Sequence, residues 1–427
     1  MAESGARRWW FLDSPVVPAR LRIGPGTARW IGAGLLLVLL AGVPLIFSGP
    51  GNDLDVANIF RSGRSIVDQH TYLASRAPGA PVHESIVGVA DRLGGPALVN
   101  LTSLAAAVVF VVGLDRLMSG EGLGPNRRWA IAVVVANPWF VVAATSAVDY
   151  LFALAFVVWS AVALRSGRLV AAGVLAGLSM GCRVGSAMLI AAVLVAELTD
   201  GQPDGESNDE ASAPEFATRF RRVVTVGAIT AVVAVVLMIP SYLASDGFSF
   251  AQNDFHTATP LVHLGRSAVK NVALLGPVSC VVALLAIPSI GRALRSWRSS
   301  WLIRFAVVGF VASEALFIRF PWKVSHLLPA LVCGAVALAL ALRNHPRLLV
   351  ALACLQLLSC VVQVKVFSPD RPNQAEGAKV GFEVTWGQVV TDWQCRRNHP
   401  DAYRGRQKVE VEAAWGCSQP FAWDDHR

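Results

Sequence analysis

The chain has 427 residues, 54% of them hydrophobic and only 15% charged, with a mean hydropathy of +0.52. A soluble domain carries about 25% charged residues, so the composition excludes a soluble globular protein and fits an all-α polytopic membrane protein. The net charge of +8 does not indicate nucleic acid as a partner, because the basic residues gather in short loops between apolar runs, as the positive-inside rule requires.

Residues 1–29 carry Arg7, Arg8, Arg20, Arg22 and Arg29 against Glu3 and Asp13, and read as a cytoplasmic segment. No small-residue cleavage site follows the first apolar run, so no signal peptide is expected. A first span is predicted from Trp30 to Phe47, leading into an outer loop, residues 49–95. Within that loop Val56, Ile59, Phe60, Ile66 and Val67 recur close to helical spacing, which predicts an amphipathic surface helix over Val56–Val67. A second surface helix is expected at Val82–Leu93.

Further spans are expected over Pro96–Leu114, Trp129–Thr145 and Tyr150–Leu164, with Asp149 in an outer turn. Leu169–Leu198 is too long for one upright span of roughly 20 residues. It is predicted to break at Gly181-Cys-Arg183-Val-Gly185 into two shorter helices. Gly173, Gly177, Gly181 and Gly185 form a small-residue stripe that suits close helix packing. Residues 199–222 form an acidic, then Arg-rich, cytoplasmic linker with the composition of a disordered segment. Spans follow at Val223–Tyr242, Asn271–Ile290, 305–318, His326–Leu342 and Leu348–Val366, giving about eleven in all, the third and fourth of them short. Residues 30–366 are thus the transmembrane domain.

The tail, residues 367–427, is too rich in aromatics for a linker and is expected to be a small extracytoplasmic appendage that names no function. Its Cys395 and Cys417 suit a disulfide in an oxidising compartment, although spacing alone does not set the pairing. The other five cysteines lie in apolar runs. The arrangement is that of a multi-pass plasma (inner) membrane protein with a cytoplasmic N-terminus and an extracytoplasmic C-terminus.

Chemistry concentrates outside. Asp53 and Asp55 follow Gly49-Pro50-Gly51 at a predicted bilayer surface, where carboxylates are costly unless a cation, metal or water offsets them. One would serve as general base toward an acceptor hydroxyl while the other orients it or helps hold a metal. Equally, acidic residues favour the start of the helix that follows. Asp149 is a third acid for the same cavity, or a helix cap. Arg183, Arg319, Lys323 and His326 are cations suited to a phosphate or to lipid headgroups. Arg183, between two apolar halves, has the strongest claim to a site. Arg76, His83 and Glu84 sit in a loop stiffened by Pro78, Gly79 and Pro81. The chain has no glycine-rich phosphate loop, no Cys/His metal cluster and no His-Glu-x-x-His.

An acidic pair in the first outer loop, a surface helix, and then Tyr-x-x-Ser-Arg-x-Pro-Gly-x-Pro-x-x-Glu (Tyr72 to Glu84) together resemble the GT-C glycosyltransferases. The nearest likeness is to the protein O-mannosyltransferase and aminoarabinose-transferase-like branch. Asp149 entering a span, Gly-Leu-Ser-Met-Gly-Cys-Arg183, and Lys323-Val-Ser-His-Leu-Leu-Pro-Ala330 fit the same pattern, which covers roughly residues 30–366 and not the tail. Several members have adjacent acids where this chain has Asp-Leu-Asp, so the catalytic position falls on either Asp53 or Asp55.

The resemblance implies transfer of a sugar from a polyprenyl-phosphate donor, at the outer face, to a glycan, lipid or protein acceptor, typically with inversion. It assigns Asp53, Asp55 and Asp149 to catalysis. Arg183, Arg319, Lys323, His326 and Arg76 would hold the donor phosphate, and Tyr72, His83 and Glu84 would form a substrate loop. Some members use a divalent metal (Mg or Mn), and the residues leave that open. A transporter or lipid flippase is the alternative, favoured by the broken helices and intramembrane charge. It should show two halves with matching interruptions, and the sequence shows no internal repeat.

Overall fold

The computed structural model describes residues 42–51, 53, 55–121, 123–124, 126–200, 209–244, 260–297, 300–321, 323–367 and 381–398. The N-terminal segment, most of the first span, Asp246, Asp254, His256, and the tail beyond Asn398 with Cys417 lie outside these residues. Among the described residues four helices are long and apolar enough to cross a membrane: Pro81–Glu121, Glu215–Ala244, Trp301–Arg319 and Val324–Ala341. The bent pair Pro260–Leu275 and Pro277–Leu285 makes a fifth if it is one span, and Tyr150–Arg165, Leu169–Cys182, Val184–Leu198 and Pro346–Val361 are shorter apolar helices.

Helix α1 (Asp55–Gln69) is the amphipathic helix predicted from spacing, with Val56, Ile59 and Phe60 buried. It lies tightly on α2 (Pro81–Met118), where a Cβ placed on Gly63 would meet the Gly88 backbone N at 2.7 Å. The second surface helix and the second span are the two halves of α2, separated by a kink at Gly95 (φ 65°, ψ −162°). Pro96 explains the break, since it offers no N–H and disfavours helical backbone in the residue before it.

The predicted span Trp129–Thr145 is interrupted. It forms α3 (Asn126–Val135) and α4 (Pro138–Ala144), with Asn137 extended between them. The Asn137 side chain accepts from the backbone N–H groups of Trp139 and Phe140 at 3.0 and 3.4 Å and so caps α4. Helix α5 (Tyr150–Arg165) follows the buried Asp149.

The predicted break in Leu169–Leu198 is present. Helix α6 (Leu169–Cys182) ends at Arg183, which is extended (φ −158°, ψ 113°), and α7 (Ala187–Leu198) follows a single 3-10 turn. The glycine stripe packs against α8 (Asp209–Ala244): Cβ atoms on Gly173 and Gly177 would stand 2.6 and 2.5 Å from Ile229 and Val233. Helix α8 also corrects the linker. Residues 209–222 are helical and continuous with the span, and Arg222 is anchored to Glu197 at 2.8 Å and to the Leu164 carbonyl at 2.6 Å. Composition alone underrated a helix whose basic turn finds a carboxylate on a neighbouring element.

Asn271–Ile290 is likewise interrupted. Helices α9 (Pro260–Leu275) and α10 (Pro277–Leu285) meet at 95° around Gly276 (φ 79°), and α11 (Ile287–Ala293) continues. A positive φ and a following proline make Gly276-Pro277 a natural hinge point. The Asn137 amide donates to the Leu274 carbonyl at 2.7 Å and to Gln356 Oε1 at 2.8 Å. Gln356 Nε2 in turn donates to the Leu275 carbonyl at 2.7 Å, so both broken spans are tied together.

Helices α12 (Trp301–Arg319), α13 (Leu328–Ala341) and α14 (Pro346–Val361) complete the bundle. The last helix stops at Val361 rather than Val366. Val-Gln-Val-Lys-Val alternates with period two, and this stretch is strand β1 (Val362–Phe367), antiparallel to β2 (Gly381–Trp386) with Val364 opposite Val384.

The tail then returns to the bundle as α15 (Gln388–Asn398). Arg396, 1% exposed, donates to the carbonyls of Leu45 and Thr145 at 3.1 and 2.6 Å, and Trp393 packs against Leu45, Val141 and Cys360. Cys395 is disulfide-bonded, while the other five described cysteines are free.

Candidate active site

Segments far apart in sequence meet around the two acids. Asp53 Oδ1 accepts from Lys323 Nζ at 2.6 Å and from the Asp55 backbone N–H at 2.9 Å. Asp53 thus caps the start of α1 and also faces a cation. Asp55 Oδ2 accepts from Lys323 Nζ at 3.0 Å and from Arg76 Nη1 at 2.9 Å. Arg76 also binds Asp149, whose two oxygens lie 3.1 and 3.4 Å from Arg183 Nη1. Three carboxylates and three cations thus alternate in one continuous array, from Asp53 through Lys323, Asp55, Arg76 and Asp149 to Arg183.

The electrostatics follow from that alternation. Burial alone would raise the pKa of Asp55, but Lys323 and Arg76 overcome it and hold the carboxyl far below the usual range. Burial would likewise raise Asp149, and Arg76 with Arg183 keeps it low. Burial would lower Lys323, and Asp53 with Asp55 holds it above its ordinary value.

Aromatic and polar groups frame the array. The Arg183 guanidinium lies 4.3 Å from the centroid of the Tyr150 ring. Ser325 donates to the Tyr150 hydroxyl at 3.0 Å, and the His326 ring is 5.8 Å from that of Tyr150. Tyr72 donates to Glu84 Oε2 at 2.6 Å, and the Ser75 N–H donates to Glu84 Oε1 at 3.0 Å. These two bonds tether the loop that carries Arg76, so Tyr72 and the fully buried Glu84 act on the array through Arg76. His83 is fully buried, edge-on to Phe152 at 5.0 Å. The Arg319 guanidinium lies 5.0 Å from the Phe320 ring.

A cavity of about 40 Å³ opens beside the acids, lined by Asp53, Tyr150, Lys323 and Ser325, by Trp139 and Ser146, and by Gln388 and Asp392 of α15. It has room for a few waters at most.

No family model matches the chain, and no curated protein matches it in sequence. Solved structures do. ArnT from Cupriavidus metallidurans bound to undecaprenyl phosphate superposes with TM-score 0.54 at 14% identity, covering 92% of this chain and 75% of that one. The apo ArnT structure gives 0.51 at 14% identity, over 74% of this chain and 60% of ArnT, so in that alignment the chain spans less than two thirds of its neighbour's length. The chain therefore shares the fold of ArnT. Arabinosyltransferase EmbB from Mycobacterium smegmatis also matches, at TM-score 0.42 and 16% identity, over 94% of this chain and 41% of that one.

Within this fold the donor set does not suit a divalent ion. Lys323 Nζ already bridges Asp53 and Asp55, two arginines hold Asp149, and among the described residues no three His, Cys, Asp or Glu side chains gather as metal ligands. Sequence reasoning missed Trp139, Ser146, Ser325, Gln388 and Asp392. A usable signal existed in the tail: Gln388, Asp392 and Arg396 recur every four residues and so share one helix face.

Proposed function

We propose that this chain is a membrane glycosyltransferase that moves a sugar from a polyprenyl-phosphate-linked donor to an acceptor hydroxyl at the extracytoplasmic face. The observation that carries the reading is the array itself. Acids from the first loop meet cations from Arg76, Arg183 and Lys323 beside one cavity, on a fold shared with ArnT, a protein solved with undecaprenyl phosphate bound. The Arg-rich loops support about eleven spans with a cytoplasmic N-terminus and an extracytoplasmic tail.

Asp53 is assigned as the base. It lines the cavity and answers to one lysine, whereas Asp55 is held by two cations. In the reaction Asp53 takes the acceptor hydroxyl proton, the oxygen bonds to the anomeric carbon, and the bond from that carbon to the phosphate oxygen breaks. The electron pair leaves on the lipid phosphate, where Lys323, Arg76 and Arg183 stabilise the added charge. No step runs through a metal.

The test uses full-length protein in nanodiscs with undecaprenyl phosphate and with mannosyl, arabinosyl and aminoarabinosyl undecaprenyl phosphates. Binding of the bare lipid phosphate and consumption of one sugar donor are expected. Asp53→Asn should lower turnover at least about 100-fold while lipid phosphate still binds. Wild-type protein that binds none of these lipids removes the assignment.

A further inference from the structure

Three features of α15 stand outside the reading above. Gln388 and Asp392 are 2% and 1% exposed, yet both line the cavity that Asp53, Tyr150 and Lys323 line from the bundle. Polar groups are costly to bury in a wall, and here they share the face of one helix that meets the site. The helix is also fixed in place. Arg396 pairs with Asp392 at 2.8 Å while donating to the Leu45 and Thr145 carbonyls, and the Gly387 N–H donates to the Val361 carbonyl at 2.6 Å. Gly387 packs so closely that a Cβ there would meet the Cys360 carbonyl carbon at 2.5 Å.

We infer that α15 is the far wall of the substrate site, and that Gln388 and Asp392 hydrogen-bond the hydroxyls of a sugar ring held opposite Asp53 and Lys323. The inference rests on the proposed transfer reaction and gives its tail a role. Charge decides the ligand class. A phosphate placed between Asp392 and Asp53 would face two carboxylates, whereas an uncharged polyol finds a carboxylate and an amide to receive its hydroxyls. Trp139 lines the same cavity and offers an aromatic surface to the C–H face of a ring. The lipid phosphate then belongs on the side of Lys323, and the sugar on the side of α15. At about 40 Å³ the space holds a few waters and no hexose, so binding must displace them and spread the ion pairs.

The sugar could arrive on the donor or on the acceptor, and two arms separate these sources. In the first, wild-type protein, Asp392→Asn and Gln388→Ala in nanodiscs are titrated with undecaprenyl phosphate and with its mannosyl, arabinosyl and aminoarabinosyl forms. In the second, the same proteins loaded with undecaprenyl phosphate are titrated with methyl mannoside and methyl arabinoside by saturation-transfer NMR. Loss of about tenfold of the affinity gained from the attached sugar, with bare undecaprenyl phosphate bound as by wild type, supports the inference with the donor as source. An equal loss confined to the methyl glycosides supports it with the acceptor as source.

Gln388→Ala leaves the Arg396 anchor untouched, so it remains informative if Asp392→Asn loosens the tail. Unchanged affinity for every sugar ligand in both variants overturns the inference while leaving the transferase reading intact. Parallel loss of bare undecaprenyl phosphate binding also overturns it, because α15 would then be structural. Wild-type protein that binds no undecaprenyl phosphate counts instead against the proposed reaction.

Discussion

Asp149→Asn and Asp53→Asn are isosteric losses of one negative charge a short way apart in the same array, and they should behave oppositely. Asp149 is fully buried between Arg76 and Arg183, whose side chains are only 24% and 20% exposed. Neutralising it leaves two guanidinium groups facing each other with no carboxylate between them. Removing one partner of a buried charge cluster costs about 3–5 kcal/mol. With both arginines under a quarter exposed, solvent offers little relief, so about 3 kcal/mol is expected. Asp53 is 16% exposed, and its asparagine analogue keeps an oxygen for Lys323 and for the Asp55 N–H; about 1 kcal/mol is expected there. Unfolding in mixed micelles, followed through the fluorescence of the 13 tryptophans, measures both. Turnover should invert the order: Asp53→Asn, nearly native in stability, should be the less active protein per folded molecule. An Asp149→Asn variant within about 0.5 kcal/mol of wild type would show that the arginines do not depend on this carboxylate, and the array would lose its central link.

The remaining expectations follow from the same geometry. Asp55 and Asp149 have pKa values depressed in the folded state, so their contribution is present above the unfolded carboxylate value of about 4 and is lost as pH falls through the still lower folded values. Lys323 is raised, so its contribution is complete below about pH 10 and is lost only as pH rises through the folded value. Stability should therefore be flat from about pH 5 to pH 10 as far as the array is concerned. Thermal melts across that range check it, and a steep change near neutrality would contradict it. Gly177→Leu should cost about 1–3 kcal/mol, because Val233 stands where the new side chain begins, and the same micelle unfolding measures it. Arg396→Met should leave Asp392 without its cation and the Leu45 and Thr145 carbonyls without a donor. About 3 kcal/mol is expected, with faster proteolysis between Phe367 and Gly381 as the readout.

What the sequence disclosed was what short-range chemistry dictates. The apolar spacing of α1, the glycine stripe of α6 and the break at Arg183 each depend on a few neighbouring residues, and each is present. Charged residues in apolar surroundings were also legible as site candidates, since burial makes them demand partners. Asp53, Asp55, Asp149, Arg76, Arg183 and Lys323 found one another. Interruptions governed by proline were underread. Asn137-Pro138 and Gly276-Pro277 lie inside runs whose hydropathy alone suggests continuous spans, and only the tertiary bonds from Asn137 and Gln356 reveal why the breaks are tolerated. The docking of α15 was illegible for a different reason. Its buried face is polar and reaches backbone carbonyls at residues 45 and 145, contacts that no periodicity encodes.

The alternation of charge bears directly on how the proposed transfer could be timed. Asp53 and Asp55 share the single ammonium of Lys323. The lipid phosphate competes for the same ammonium. A sugar phosphodiester carries one negative charge, and the departing lipid phosphomonoester carries more, so the attraction of Lys323 toward the leaving group grows along the reaction coordinate. Each increment that draws the ammonium toward the phosphate takes it from Asp53 and leaves that carboxylate oxygen open to the acceptor hydroxyl, which becomes more acidic through bonding to the anomeric carbon. One lysine would thereby couple departure of the phosphate to deprotonation of the acceptor. Lys323→Met separates these effects: it should leave Asp53 open to the acceptor hydroxyl yet leave the departing charge unsupported. Turnover should fall with poor leaving groups and recover in part with a donor bearing a more acidic phosphate ester. Equal losses for both donors would mean that Lys323 only positions the acids, and the coupling would be gone.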